Sequence, residues 1–224
     1  QGDLLMTFEG PEPRDYENVV SLNLAWLECL KHDRAAGTGP AAGPSPHVER
    51  LRQLNAAEAA RLAESPFLLF SVRERDHEFW DQVFARRVGS DLFDTPQTGM
   101  LATLTHAALG FVWQLAGRNP YALRLVRGAS LYWCESIADL TFIRLLDAVR
   151  SARDVPVLRL AGNRKLWEKL THEGVSRNYR TRHAAQFAAL QTILTESAGH
   201  DPQASLARAA RKADAPGLRV TADR

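Results

Sequence analysis

The sequence predicts a mainly α protein with one short β-strand in each of two tandem units, packed as a pseudo-two-fold dimer. Three observations predict it. Apolar residues recur at three- and four-residue spacing through most segments, with Asn, Asp, Ser or Thr standing where those segments begin. Two stretches, 67–72 and 155–160, are short apolar, β-prone runs next to breakers. Landmarks then repeat at one offset: Trp26 and Trp113 lie 87 residues apart, as do Trp80 and Trp167 and the candidate caps Asp76 and Asn163, while Asn55 and Thr141 lie 86 apart. Two units are too few for a solenoid. A duplicated unit in one chain more naturally imitates a symmetric homodimer, and pairing of the two strands across the axis would satisfy their backbone groups.

Taken in order, residues 1–15 are polar and proline-containing, and a frayed arm is expected. Residues 18–32 form the first helix, apolar over much of its surface through Val19, Leu22, Trp26, Leu27 and Leu30. Residues 35–46 are a Gly/Pro/Ala loop, expected to be mobile. A helical pattern resumes over 47–54, and Asn55 with Glu58 resembles a capping box opening a helix to Glu64. The first strand and an Asp76-capped helix to about Val88 follow. Residues 100–117, 121–127 and 131–140 are helical. Thr141 caps the next helix, with Phe142, Ile143, Leu145, Leu146 and Val149 inward. The second strand leads to the Asn163-capped helix, and Ser176 opens a long helix to about Ser197, with Tyr179, Phe187, Leu190 and Leu194 toward the core. Repeat 1 is thus 1–98, repeat 2 is 99–198, and 199–224 is a flexible tail without sustained apolar period.

Composition sets outer bounds. The chain is 45% hydrophobic and 24% charged, an ordinary globular balance. No run of eighteen apolar residues exists and the first residues lack a signal-peptide pattern, so a cytoplasmic protein with no membrane contact is expected. Cys29 and Cys134 read as buried free thiols. A net charge of +2 means that any nucleic-acid footprint must come from local clustering.

The segments 23–30 (NLAWLECL) and 50–73 (RLRQLNAAEAARLAESPFLLFSVR) in repeat 1, and 121–161 in repeat 2, resemble the D subunit of the flagellar master transcription activator (FlhD). The resemblance implies a mainly helical, dimerising fold that acts with a C-type (FlhC-like) partner subunit as a DNA-binding transcriptional activator in the bacterial cytoplasm. The chain departs from that pattern in carrying two copies, in the loop inserted in copy 1, and in placing its cysteines in helices.

The copies diverge after the capped helix, and only copy 2 becomes basic. Between Asn163 and Arg182 stand Arg164, Lys165, Lys169, Arg177, Arg180 and Arg182, opposed only by Glu168 and Glu173. A short capped helix, a Gly-containing turn and a helix with a basic first turn have helix-turn-helix form. Arg suits phosphate or guanine and Asn suits adenine, so Arg164, Lys165, Lys169, Arg177, Asn178, Arg180 and Arg182 are the candidate duplex-DNA contacts. A solvated basic face or a protein-contact surface is the competing reading. Tyr132 and Trp133, without counterparts in copy 1, mark a weaker candidate partner-binding patch. The tryptophans read as core anchors, and the histidines and acidic pairs as surface groups and caps. No metal-ligand spacing, phosphate loop or nucleophile motif occurs, so neither cofactor nor small-molecule substrate is expected and an enzyme ranks behind a regulator and a non-DNA-binding adaptor.

Overall fold

Helix α1 (Pro13–His32) begins five residues before its apolar pattern. Pro13 is placed where a missing N–H costs nothing, and the Asp15 carboxylate accepts the Glu12 N–H at 2.8 Å. Arg118 then pairs with Asp15 and, at 3.3 Å, with Glu12, so a tertiary contact holds the start that composition alone reads as frayed. The computed structural model describes residues 10–33, 46–85, 99–150 and 155–198. The loop over 35–46, the Arg86-Arg87 connection and the tail over 199–224 therefore lie outside the described residues, wholly or nearly so.

The buried face of α1, with Val19, Trp26, Leu27 and Leu30, packs on α2 (Pro46–Arg52), α3 (Ala56–Ala63) and the long α5 (Met100–Arg118). Helix α5 in turn carries α6 (Pro120–Arg127), α7 (Leu131–Ala138) and α8 (Phe142–Arg150). Their starts are set locally. Asn55 and Glu58 form the reciprocal capping box, with bonds of 2.9 and 3.0 Å. Asn119, Ser130 and Thr141 accept the N–H groups of Ala122, Trp133 and Arg144. Ile143 of α8 is exposed rather than inward, and the Val149 side chain lies outside the described ones.

Each expected six-residue strand shrinks to two residues, β1 (Phe70–Ser71) and β2 (Val157–Leu158). They pair antiparallel, Phe70 with Leu158 and Ser71 with Val157. The flanking backbone is satisfied by other means: Leu68 N–H donates to Val126 O at 3.2 Å, and Leu69 N–H to the Asn23 side chain at 2.8 Å. Both strands exit through a left-handed residue, Arg73 (φ 62°) and Leu160 (φ 45°), positions 87 apart. Asp76 then caps α4 (His77–Ala85) and Asn163 caps α9 (Arg164–His172). The indole N–H of Trp80 donates to Arg73 O at 3.0 Å, and that of Trp167 to Arg159 O at 2.7 Å.

The capped helices cross over. Helix α4 packs on α8, and Trp80 meets Trp133 edge-on at 5.2 Å. Helix α9 packs on α2. Each capped helix thus buries its tryptophan against helices from the other half of the chain, within one continuous apolar core.

Candidate nucleic-acid and partner interface

Helix α10 (Tyr179–Ala198) starts three residues after Ser176. Ser176 Oγ accepts the Asn178 N–H at 3.1 Å, and Asn178 Oδ1 accepts the Thr181 N–H at 3.2 Å, so Asn178 and not Ser176 is the cap. The buried stripe of α10 is Ala185, Gln186, Ala189 and Ile193. Gln186 donates to Arg61 O at 3.1 Å, and Arg61 Nε donates to Val175 O at 2.6 Å, tying the helix to α3. At its far end Glu196 meets Arg75 at 3.1 Å and accepts from the Asn163 side chain at 2.9 Å. The start of α9 therefore lies beside the end of α10.

The seven candidate DNA contacts separate into two groups. Arg164 pairs with Glu168 at 2.6 Å and Lys169 with Glu173 at 3.9 Å, both on the exposed surface of α9. Arg182 is withdrawn: its side chain is 12% exposed, pairs with Glu64 at 3.2 Å, donates to Ser176 O at 3.0 Å and lies over the Tyr179 ring. It fastens α10 to α3 and is not placed to reach a ligand. Asn178 is exposed, with its carbonyl oxygen used in the cap. Lys165, Arg177 and Arg180 are exposed and, among the described residues, have no acidic partner. Lys165 lines an open cleft of about 410 Å³ at the start of α9, with Leu160, Gly162, Asn163, Arg164 and Glu196; Arg177 and Arg180 stand at the other end of α10.

Two expectations about aromatic residues are corrected. Tyr179 and Phe187 do not face the core; they are 63% and 56% exposed, because the buried stripe over 185–193 turns them outward. Leu190 and Leu194 are half-buried. His183 stands between the two rings, at centroid distances of 4.0 and 6.2 Å. Trp133, expected as a possible partner contact, is 2% exposed and is buried by Trp80, and its neighbour Tyr132 is half-buried. Facing a partner with Trp133 would require opening the core.

A buried charge cluster has no precedent in the sequence reading. Glu74, in the turn after β1, meets Arg127 of α6 at 3.0 Å and Arg159, next to β2, at 2.9 Å. Its carboxylate also accepts the Ser71 hydroxyl at 2.6 Å and the Val72 N–H at 2.8 Å. Arg159 spends its remaining donors on the carbonyls of Leu68, Phe70 and Arg127. Burial pushes the Glu74 carboxyl up, but Arg127, Arg159 and the Ser71 hydroxyl outweigh it and hold the group at about 2. Burial lowers both guanidiniums against the pull of Glu74, Arg159 to about 10, which leaves Arg159 charged at neutral pH. The cluster joins the turn of the first half to two positions of the second.

The rest of the described chain offers little reactive chemistry. Cys29 and Cys134 are buried free thiols, and burial pushes Cys134 up to about 12, far from a neutral-pH nucleophile. Among the described residues no group of three or more His, Cys, Asp or Glu could hold a metal ion, and no helix is long and apolar enough to cross a membrane. Comparison with protein-family models, with curated proteins and with solved structures returns no match.

Proposed function

We propose that the chain is a FlhD-like bacterial transcriptional regulator whose two units pair within one molecule. It binds duplex DNA through Lys165, Arg177 and Arg180 and acts in the cytoplasm with a partner subunit of the FlhC-like kind. The strand pairing supports this reading: the two short strands, 87 residues apart in sequence, pair antiparallel, the sense that a two-fold axis between them requires. The left-handed residues Arg73 and Leu160 and the caps Asp76 and Asn163 follow the same operation. This supports a fused pseudo-dimer of the FlhD-like unit, and the function follows by analogy with that family.

The DNA footprint on this reading is reduced by Arg182, which is consumed internally, while Arg164 and Lys169 are held only by exposed pairs. Exposed pairs contribute little and exchange readily for phosphate. The test is duplex binding by anisotropy across a salt series. Arg177→Ala with Arg180→Ala is expected to weaken binding and reduce the slope of log K against log salt by about 2. Unchanged affinity in the double variant removes the site assignment. A non-DNA-binding adaptor is the second reading, favoured by one observation: the ring pair Tyr179 and Phe187 presented to solvent on the helix that carries the arginines.

A further inference from the structure

We propose that the ridge formed by Tyr179, His183 and Phe187 on α10 is a docking surface for an acidic amphipathic helix of a partner protein. The inference specifies the partner's contact chemistry within the regulator reading above. The three residues stand at four-residue spacing and run about 12 Å along one helix face. Tyr179 and Phe187 are among the most exposed large apolar side chains of the described chain, and the His183 ring links them. Scattered exposed apolar residues need no explanation, but a contiguous ring stack marks a contact site. Such i, i+4, i+8 ridges are how one helix engages another.

Charge complementarity selects the occupant. No Asp or Glu occurs between Glu173 and Glu196, and Arg177 and Arg180 flank the ridge at its N-terminal end. The face is therefore apolar along its length and positive at its N-terminal end, the complement of a helix with apolar anchors and carboxylates at one end. Duplex DNA fits it less well, since phosphates make no use of two exposed rings and few cations remain unpaired. The ridge is also held in place before any partner arrives. Gln186 is bonded to Arg61 and Arg182 is paired with Glu64 behind it, so docking orders few new groups.

The test uses the full chain and a fluorescein-labelled acidic amphipathic peptide, with Leu or Phe at every fourth position and Glu at one end. A peptide with Lys in place of Glu, a scrambled acidic peptide and a DNA duplex complete the set. The acidic amphipathic peptide is expected to bind, and both other peptides to bind at least about ten-fold more weakly. Tyr179→Ser with Phe187→Ser is expected to weaken the acidic peptide by about ten-fold or more while leaving duplex binding unchanged. Both side chains are exposed, and circular dichroism checks that the variant stays folded. Equal binding of the scrambled peptide, or binding unaffected by the ring substitutions, overturns the proposal. So does loss of duplex binding in the ring variant, which assigns the ridge to nucleic acid. Absence of any duplex binding by the wild type tells against the DNA reading alone and leaves the peptide result to decide the ridge.

Discussion

Replacing Glu74 by Gln tests the buried cluster that ties the two halves together. The carboxylate sits between Arg127 and Arg159 at 3.0 and 2.9 Å, with almost no solvent access. The substitution keeps the shape and removes the charge, which leaves two guanidiniums buried without a counterion. Breaking a buried pair in this way costs about 3–5 kcal/mol. In a chain of this size that is a fall in melting temperature on the order of 10 °C. Denaturant unfolding and calorimetry read both quantities. Adding Arg127→Met to the same variant is expected to recover part of the loss, because Arg127 is the less tied guanidinium: its Nε and Nη1 have no hydrogen-bond partner among the described residues, whereas Arg159 donates to three carbonyls. The pH dependence gives an independent check. The folded carboxyl titrates at about 2, below its ordinary 4.5, so its contribution is complete above about pH 4.5 and is lost as pH falls toward 2. The gap between wild type and Glu74→Gln should close over that window. A variant within about 1 kcal/mol of wild type, or one made worse by Arg127→Met, refutes the reasoning.

Gly128 adopts φ 57° at the end of α6, and a Cβ there would overlap Ile193 Cγ2 of α10. Gly128→Ala is expected to cost about 1–3 kcal/mol by denaturant unfolding and to raise hydrogen exchange in α10 first. Trp80→Ala and Trp133→Ala should show a coupling of about 0.5–1.5 kcal/mol in a double-mutant cycle, and strict additivity would contradict their contact across the two halves. Arg182→Ala is expected to lower stability while leaving the salt slope of duplex binding unchanged; a reduced slope would return Arg182 to the interface.

Local chemistry was the legible part. The caps Asn55, Asp76, Thr141 and Asn163 act within three residues, so each could be read from its own neighbourhood. The tryptophan offsets pointed to two equivalent strands, and these pair with each other, Phe70 with Leu158 and Ser71 with Val157. What could not be read was decided across the chain. Asn23 bonds Leu69 and so cuts the strand short from 46 residues away. Glu64 takes Arg182 out of a basic cluster that looks uniform in sequence. Glu74 stands in VRERD, which reads as solvated surface, and the only hint of its partner is Arg159 inside an apolar run. The outward turn of Tyr179 and Phe187 depends on which face of α10 meets α3, and periodicity over this helix leaves that choice open.

The central claim is that the two units pair with each other inside one chain. Light scattering and thermal unfolding over a dilution series test it most directly. Pairing within one chain gives the mass of a single chain, 24.9 kDa, at every concentration, with a melting temperature that does not move on dilution. A two-chain mass whose melting temperature falls on dilution would contradict it, because the strands and the tryptophan helices would then be pairing between molecules.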